Sequence, residues 1–343
     1  MMNTALLFNP IAGRGRSARI AGELASSLRS RGHDCVQVPF GPAAERVDIE
    51  SIFRSVDVAV VAGGDGTVHH ASRAAASTAT PIYHYPLGTE NLFARQFGMK
   101  RSISRLLDTL DVGRVIRMDR AFVNDLPFLL MCSVGYDANV VHRLARVRSG
   151  AITKLSYLPH MLREFITPHF PCFTITADGE TILENQPGTA VIANSRQYAA
   201  RLDPCPGACV SDAMLDICFL HHDTRAGLLQ RMAETRLRLQ SRSERFTQAR
   251  AKTFTIHAEG EHLPVQVDGE AADEPHPGPA SPRRALRTPI TVRIDPAAVP
   301  VLVPKAFTLV EDSAEPVSFH PDRAQSLPRH EAPPADPSPS PAT

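Results

Sequence analysis

Apolar residues in the first hundred positions fall into two patterns that follow one another along the chain. Short, mainly apolar segments occur at residues 4–8, 35–38, 56–62 and 81–85, and within the third of them Val58 to Ala62 form an unbroken apolar run. Within residues 15–31, Ile20, Leu24 and Leu28 recur at every fourth position, which is typical of a helix with one buried face. Unbroken runs are typical of strands buried on both faces, so the alternation predicts a parallel sheet covered by helices.

The pattern changes after a predicted helix at residues 103–110. Short apolar segments separated by turns follow, at residues 122–123, 128–134, 172–176, 189–193, 215–220, 253–257, 265–267, 290–294 and 299–303. This spacing is typical of antiparallel strands and predicts a β-rich second domain. Helical patterns interrupt the strands at residues 139–148, 155–165 and 226–242.

These patterns divide the chain into an α/β domain over residues 1–120 and a β-rich domain over residues 121–289. A proline-rich segment without periodicity predicts an insertion at about 271–289. Residues 305–343 are rich in proline and poor in large apolar side chains, so they are predicted to form a disordered tail.

Three predicted strands of the first domain end in glycine-containing loops: the first loop (residues 9–15), the signature loop (63–67) and the third loop (86–91). Parallel strands place their carboxyl ends at one edge of the sheet, so these loops can converge on one ligand. Glycine exposes backbone amides, and the helix after the signature loop, for which Thr67 is the expected N-cap, contributes its dipole. Together these features favour a phosphate group.

Asp65 is the unexpected residue of the signature loop. A carboxylate beside a phosphate repels it unless a divalent cation lies between them or the carboxylate takes part in proton transfer. The alternative is an ordinary strand-to-helix turn with an aspartate at its bend. The sequence pattern by itself leaves both interpretations open.

Composition narrows the classes of function. The 343 residues carry a net charge of +1, which gives no reason to expect nucleic acid as a partner. The six cysteines form no Cys-x-x-Cys pair and no secretory apolar segment precedes the first strand, so a reduced, cytoplasmic protein is expected. No apolar run approaches the roughly 18 residues that span a bilayer, so any membrane contact is expected to be peripheral.

Other polar clusters give weaker indications. The adjacent pairs His69-His70 and His221-His222 project to different sides of a helix or strand and are poorly suited to binding one metal ion. A basic group could face anionic headgroups or could simply be solvated; it consists of Arg143, Arg146, Arg148 and Lys154.

Seven motifs carry a resemblance that covers about residues 4–304. They are Asn9-Pro10-x-x-Gly13, Gly63-Gly64-Asp65-Gly66-Thr67, Pro86-Leu87-Gly88-Thr89-x-Asn91, Gly135-Tyr136-Asp137-Ala138, Asn194-Ser195-Arg196-Gln197-Tyr198, Asp212-x-x-Leu215-Asp216 and Asp268-Gly269-Glu270. In this order they resemble the diacylglycerol kinase catalytic-domain superfamily, specifically its bacterial soluble lipid kinases. That family is related to sphingosine kinases and more distantly to NAD kinases and 6-phosphofructokinases.

The resemblance implies a two-domain NAD kinase/diacylglycerol kinase-like fold. Its N-terminal domain would be a three-layer α/β nucleotide domain, its C-terminal domain a β-sandwich carrying the lipid site, and strands 290–304 would join the first domain. It also implies ATP and Mg²⁺ as cofactors, a lipid substrate at the membrane surface, and allows a homodimer. The residues expected to bind the nucleotide are Asn9, Pro10, Ile11, Ala12, Gly13, Gly63, Gly64, Asp65, Gly66, Thr67, Val68, His69, His70, Gly88, Thr89 and Asn91.

The same resemblance assigns roles to acidic residues. Asp65 would be the essential carboxylate, acting through Mg²⁺ or a bridging water, and either Asp268 or Glu270 would be the general base. Asp119 matches an acidic position that could hold a bridging water. Asp212 resembles a second, structural Mg²⁺ site completed by main-chain carbonyls, here those of Cys209 and Met214, although an Asx turn before residue 215 is the alternative.

Four positions depart from the usual pattern of the family. His69-His70 replace an Asn-Glu pair, Leu92 replaces an acidic residue, Ala213 replaces a glycine, and Pro39 replaces a hydroxyl residue. The first two changes remove acidic groups near the nucleotide.

The leading hypothesis is therefore an ATP- and Mg²⁺-dependent kinase acting on the hydroxyl of a membrane lipid such as diacylglycerol or a sphingoid base. One alternative is NAD kinase activity, against which the chain lacks any Asn-Glu dipeptide for the nucleoside. The other is a catalytically silent protein that binds a lipid or a nucleotide.

Overall fold

The computed structural model describes residues 1–10, 16–41, 48–146, 169–274 and 284–309. Its strands are β1 (Asn3–Phe8), β2 (Asp34–Pro39), β3 (Val58–Gly63), β4 (Ile82–Pro86), β5 (Arg114–Val123), β6 (Leu126–Phe128), β7 (Met131–Val134), β8 (Cys172–Ala177), β9 (Glu180–Ala193), β10 (Leu215–His221), β11 (Phe246–Ala251), β12 (Thr253–Ala258), β13 (Val265–Val267), β14 (Glu270–Ala271) and β15 (Ile290–Val303). Its α-helices are α1 (Arg16–Ser30), α2 (Ile49–Arg54), α3 (Asp65–Thr78), α4 (Leu92–Gln96), α5 (Ile103–Val112), α6 (Tyr136–Arg146) and α7 (Arg225–Leu237).

The N-terminal half forms the predicted parallel sheet, in the order β2-β1-β3-β4. Every residue of β3 is buried, as its unbroken apolar run predicts. Helix α1 buries Ile20, Leu24 and Leu28 against the sheet and packs beside α5, while α2 packs beside α3. The sheet therefore brings the carboxyl ends of β1, β3 and β4 to one edge.

A long antiparallel pair, β5 with β15, connects the two halves of the molecule. The first part of β15 pairs with β12 of the β-rich half, and Val301 pairs in parallel with Ile82 of β4. A register shift between Asp295 and Val299 bends the strand. The sequence pattern predicted two separate strands here because the polar residues at this bend interrupt the apolar pattern, but the structure has one strand of 14 residues.

The C-terminal half is an antiparallel β-sandwich in which β9 belongs to both layers. One part of β9 pairs with β8, and the other pairs with β7 and β10. The apolar faces of the two layers enclose a core that includes Phe173, Phe219 and Phe254, all at most 1% exposed. The predicted fold class, an α/β domain followed by a β-sandwich, is confirmed.

Several local predictions differ from the structure. Strand β5 begins at Arg114 and not at residue 122, because its arginines obscure the apolar alternation while β15 pairs with its whole length. Strand β11 has no apolar alternation and was not predicted. The helical pattern at 226–242 ends at Leu237, where Arg238 adopts a left-handed conformation.

Parts of the remaining predictions lie outside the described residues. These include the helix at 155–165, residues 275–283 of the insertion predicted at 271–289, and the tail from residue 310. The ends of the insertion are paired, since Asp273 and Ala285 form an antiparallel bridge. Within the described part of the chain, no helix is both long and apolar enough to cross a bilayer.

Candidate active site

The signature loop begins at the end of β3 and leads directly into α3. Gly64 is the N-cap of α3 in an extended conformation, and its carbonyl accepts hydrogen bonds from the amides of Thr67 and Val68. The prediction that Thr67 caps this helix is wrong, because the extended Gly64 lets the helix begin two residues before Thr67. No side chain caps α3 from its N-cap, so the amides of Asp65 and Gly66 at its start receive no acceptor from that position.

The signature loop and the third loop are in backbone contact. A Cβ atom added to Gly64 would lie 3.3 Å from the Cα of Gly88. A Cβ atom added to Gly63 would lie 2.5 Å from Oγ1 of Thr67. Glycine is therefore required here by close approach of neighbouring groups.

Asn91 holds the third loop in shape. Its Oδ1 accepts a hydrogen bond from the amide of Gly88, and its Nδ2 donates one to the carbonyl of Gly88, both at 2.8 Å. Asn91 itself has a φ of 51°, a left-handed conformation that asparagine tolerates well. Gly88 and Thr89 remain exposed at the tip, where their backbone can approach a ligand.

Sequence reasoning missed His84, whose side chain hydrogen-bonds to the backbone of the signature loop. This residue of β4 is fully buried, and its Nε2 donates to the carbonyl of Gly63 at 2.9 Å. Burial lowers the pKa of His84 to about 4, so the ring is neutral at physiological pH. The strand pattern alone could not distinguish this histidine from an ordinary core residue.

Asp65 is the first residue of α3, and its carboxylate caps the N-terminus of α4. Oδ1 accepts from the amide of Phe93 at 2.9 Å, and Oδ2 accepts from the amide of Leu92 at 3.0 Å. Burial raises the pKa of Asp65, the amide hydrogen bonds oppose this, and the nearby charge of Asp268 raises it further. Asp65 and Asp268 are therefore close enough to interact, although they come from different halves of the molecule.

Asp268 begins the acidic loop (residues 268–270), which joins β13 to β14. It adopts a left-handed conformation with a φ of 50°, and its side chain is only 5% exposed. The carboxylate accepts hydrogen bonds from the amides of Leu129, Leu130 and Met131 at 2.8 to 3.1 Å. Its Oδ2 also lies 2.9 Å from Nδ1 of His69, in helix α3.

Glu270 places a second carboxylate over the signature loop. A Cβ atom added to Gly66 would lie 2.5 Å from Oε1 of Glu270, although the residue as a whole is exposed. The charge of Glu270 also acts on His70, whose pKa is lowered mainly by burial and then by His69, with Glu270 opposing the shift. The structure therefore brings together the signature, third and acidic loops.

A buried hydrogen-bond network supports the acidic loop from the side of the sandwich. Tyr198 and Ser133 both donate to the carboxylate of Asp137. Gln266 donates to Ser133 at 2.7 Å and accepts from the amide of Gly269 at 2.8 Å. The motifs that contain Asp137 and Tyr198 thus connect to the acidic loop, although the spacing along the chain gave no signal for Gln266.

Asp119 binds backbone amides of two other segments of the chain. Its two carboxylate oxygens accept from the amides of Ala213 and Ala297, both at 2.7 Å, and the residue is 2% exposed. Burial raises the pKa of Asp119, whereas these amides lower it. Its predicted role in holding a bridging water stays a prediction; the contacts in the structure fix the bend of β15.

The carboxylate of Asp212 contacts protein groups, and its predicted role at a second Mg²⁺ site stays a prediction. Its Oδ1 accepts from the amide of Met214 at 3.1 Å in an Asx turn, and its Oδ2 pairs with the guanidinium of Arg250. Ala213, where the family usually has glycine, is left-handed with a φ of 60°. A cationic side chain thus already neutralises this carboxylate, and no group of three or more candidate metal-binding side chains occurs among the described residues.

The first loop is only partly described. Asn9 and Pro10 follow β1 at the same edge as the other two loops, and the side chain of Asn9 packs against the backbone of Gly41, with 3.1 Å between Cγ and an added Cβ. The other predicted members of the first loop lie outside the described residues: Ile11, Ala12 and Gly13.

Comparison with known families agrees with this architecture. Residues 3–123 match the model of the diacylglycerol kinase catalytic domain, and residues 131–303 match the YegS C-terminal NAD kinase beta sandwich-like domain.

The matches to individual relatives cover most of the chain. A diacylglycerol kinase of Mycobacterium tuberculosis is 29% identical over 87% of this chain and 94% of its own length. A probable YegS-like lipid kinase of Enterobacter is 26% identical over 77% of this chain and 89% of its own. The crystal structure of a diacylglycerol kinase from Bacillus anthracis has the same fold, with a TM-score of 0.61, 17% identity, and coverage of 89% of this chain and 98% of that one. The chain is therefore a kinase that belongs to the diacylglycerol kinase catalytic-domain family.

Proposed function

We propose that this protein transfers the γ-phosphoryl group of ATP to a hydroxyl of a membrane lipid, either diacylglycerol or a sphingoid base. The main observation behind the proposal is that the carboxylate of Glu270 lies against the backbone of Gly66, directly after Asp65 in the chain. Phosphoryl transfer requires donors on the phosphates, neutralisation of negative charge and an acceptor for the hydroxyl proton. Backbone amides and carboxylates lie at this point, and a cation held by the carboxylates would supply the neutralisation.

The nucleotide is expected to bind at the edge of the parallel sheet where the glycine-containing loops follow the strands. The first-turn amides of α3 have no side-chain cap and are favourable for a phosphate group. Exposed backbone at Gly88 and Thr89 borders the same edge. We place the phosphates of ATP along these amides, with the acceptor lipid entering from the β-sandwich side.

The carboxylates at the meeting point suit a hard cation. Asp65 and Glu270 offer oxygen ligands of the kind that Mg²⁺ prefers, and burial of Asp65 near Asp268 makes its own negative charge unfavourable. Mg²⁺ bound together with ATP would neutralise phosphate charge at this point. The amides of Leu92 and Phe93, together with that of Asn91, donate to the carboxylate of Asp65, whose two oxygens together offer about four lone pairs.

The lipid is expected to be presented by a membrane surface, since its acyl chains are insoluble. The test uses purified protein, γ-labelled ATP, Mg²⁺ and vesicles that contain either diacylglycerol or sphingosine, with mass spectrometry of the extracted product. A phosphorylated lipid supports the proposal. Labelled NADP in a parallel reaction with NAD, or tight ATP binding without any labelled product, would contradict it.

A pair of aspartate variants controls this assay. Asp65→Asn removes the charge at the proposed phosphate site. Asp108→Asn makes the same chemical change at a surface position whose side chain is 68% exposed. We expect only the first variant to lose product formation.

A further inference from the structure

We propose that three arginines form an anion site at the junction of the two halves of the molecule and that this site binds a phosphate group. The junction arginines are Arg73 of α3, Arg120 of β5 and Arg293 of β15. The ligand is defined by its chemistry, since an acidic phospholipid headgroup and free inorganic phosphate both present the same group. The site is separate from the three glycine-containing loops and does not depend on the proposed function.

Phe122 holds two of the junction arginines in place. The guanidinium carbon of Arg293 lies over the ring of Phe122 at 4.3 Å from its centroid, and that of Arg120 lies at 4.8 Å. Arg293 is the direct partner of Phe122 in the antiparallel pair, and Arg120 precedes Phe122 by two residues on the same face of β5. A guanidinium that stacks on an aromatic ring keeps the N–H groups at its edge available for an acceptor. The ring therefore fixes the position of the charges and leaves hydrogen-bond donors exposed.

The junction arginines carry more charge than the acids beside them. Arg120 donates to Oδ2 of Asp295 through Nε at 3.0 Å and through Nη2 at 2.6 Å. Among the residues that the structure describes, neither Arg73 nor Arg293 has a carboxylate as an ion-pair partner. Three guanidiniums thus share one carboxylate, which leaves an excess of two positive charges. A phosphate group has the charge that matches this excess.

Arg73 joins the other two arginines from helix α3. Partial burial lowers the pKa of Arg73, and the nearby charge of Arg120 lowers it further. Both effects mean that the positive charge of Arg73 is unfavourable here without a counter-ion. A phosphate group between Arg73 and Arg120 would offset the repulsion and would accept hydrogen bonds from both guanidiniums.

The anion site lies beside the acidic loop. Arg73 follows His69 by four residues, so both side chains lie on the same face of α3. His69 in turn contacts Asp268 of the acidic loop at 2.9 Å. A phosphate group held by the junction arginines would therefore link α3, at whose N-terminus the nucleotide is expected to bind, to the β5–β15 pair.

The test measures the two sources of a phosphate group separately. Calorimetry measures the binding of inorganic phosphate. Sedimentation measures binding to phosphatidylcholine vesicles that contain phosphatidylglycerol, with vesicles of phosphatidylcholine alone as the reference. Both measurements include a saturating non-hydrolysable ATP analogue, so that phosphate cannot occupy the glycine-containing loops.

The variants are Arg73→Gln and Arg293→Gln, which each remove one charge and leave the pair of Arg120 with Asp295 intact. We expect each variant to weaken binding about tenfold, because a hydrogen bond between two charged groups is lost. Arg236→Gln is the matched control, since Arg236 is exposed on α7, which packs against β10 in the other layer of the sandwich. This control should bind as the wild type does, and circular dichroism should show that all three variants melt as the wild type does.

The outcomes separate the two ligands and decide the site. Weaker binding of the variants to anionic vesicles identifies a lipid headgroup as the ligand, and weaker binding in calorimetry identifies free phosphate; either result supports the site. Absence of binding by the wild type in both measurements, or equal binding by the wild type and both variants, would overturn it. Neither measurement uses turnover, so failure of the wild type to phosphorylate a lipid would contradict the proposed function alone.

Discussion

A Cβ atom added to Gly88 would lie 2.7 Å from the Cα of Gly64, closer than two carbon atoms that are not bonded can approach. Both atoms belong to backbone, so neither can rotate away as the end of a side chain could. The two glycine loops that are predicted to hold the phosphates are thus fixed relative to each other by the absence of side chains. This contact leads to the first prediction.

Gly88→Ala should destabilise the protein by about 1–3 kcal/mol, because the added methyl group forces the two loops apart. It should also weaken ATP binding, measured by calorimetry. Gly22→Ala is the matched control, since nothing lies within 4 Å of a Cβ there and the residue is exposed in α1. Urea unfolding should show that Gly22→Ala stabilises the protein by about 0.5–1 kcal/mol. Equal stability of Gly88→Ala and the wild type would contradict the close contact.

Asp65→Asn should lower kcat by about 10²-fold or more, because the variant loses a carboxylate that would help to hold Mg²⁺ at the proposed phosphate site. It should also lower the free energy of unfolding by about 1–3 kcal/mol, since the amide group of asparagine cannot accept from both Leu92 and Phe93. Activity is therefore measured at a temperature where circular dichroism shows the variant folded. Turnover near that of the wild type under these conditions would show that Asp65 is only a helix cap.

Acid should destabilise the protein as the pH falls from 6.5 towards 4. Burial lowers the pKa of His84, His221 and His222 from 6.5 to about 4 in each case. The unfolded chain therefore binds these protons first, and each neutral histidine contributes stability that is complete above pH 6.5 and is lost as the pH falls. For a fully buried group such as His84 the loss amounts to about 3 kcal/mol at pH 4.

The variant His84→Gln tests this prediction, because glutamine can still donate to the carbonyl of Gly63 but does not titrate. Its free energy of unfolding, measured with urea between pH 7 and pH 4, should fall less steeply than that of the wild type. The exposed control His257→Gln should keep the slope of the wild type. Parallel slopes for His84→Gln and the wild type would contradict the assignment of a buried, neutral His84.

Arg250 should make the turn at Asp212 independent of metal. Removing divalent cations with EDTA is expected to leave the melting temperature of the wild type unchanged in the absence of ATP, since the guanidinium already neutralises the carboxylate. Arg250→Ala should lower the free energy of unfolding by about 1–3 kcal/mol by leaving that carboxylate without its ionic partner. Arg54→Ala, in an exposed helical pair, should cost less than about 0.5 kcal/mol. A fall in the melting temperature of the wild type with EDTA would instead favour a structural metal at Asp212.

Much of the fold and part of the site could be predicted from local patterns. An unbroken apolar run reflects a strand that is buried on both faces. The spacing of Ile20, Leu24 and Leu28 reflects a helix that is buried on one face. Glycine loops after parallel strands must share one edge, so their convergence followed from topology. The resemblance to a known family then related Asp65 to the acidic loop some two hundred residues later.

Other features depended on partners that are distant in the chain. The pairing of β5 with most of β15 overrode the polar residues that interrupt both patterns. Gly63 and His84, Asp212 and Arg250, and His69 and Asp268 meet only because strands and loops from different segments are packed together. The sequence by itself determined which elements form and which loops share an edge, since these depend on periodicity and on short-range backbone freedom. Only the tertiary structure decided which side chain neutralises, caps or positions which carboxylate, because hydrogen bonds depend on distances that no local spacing specifies.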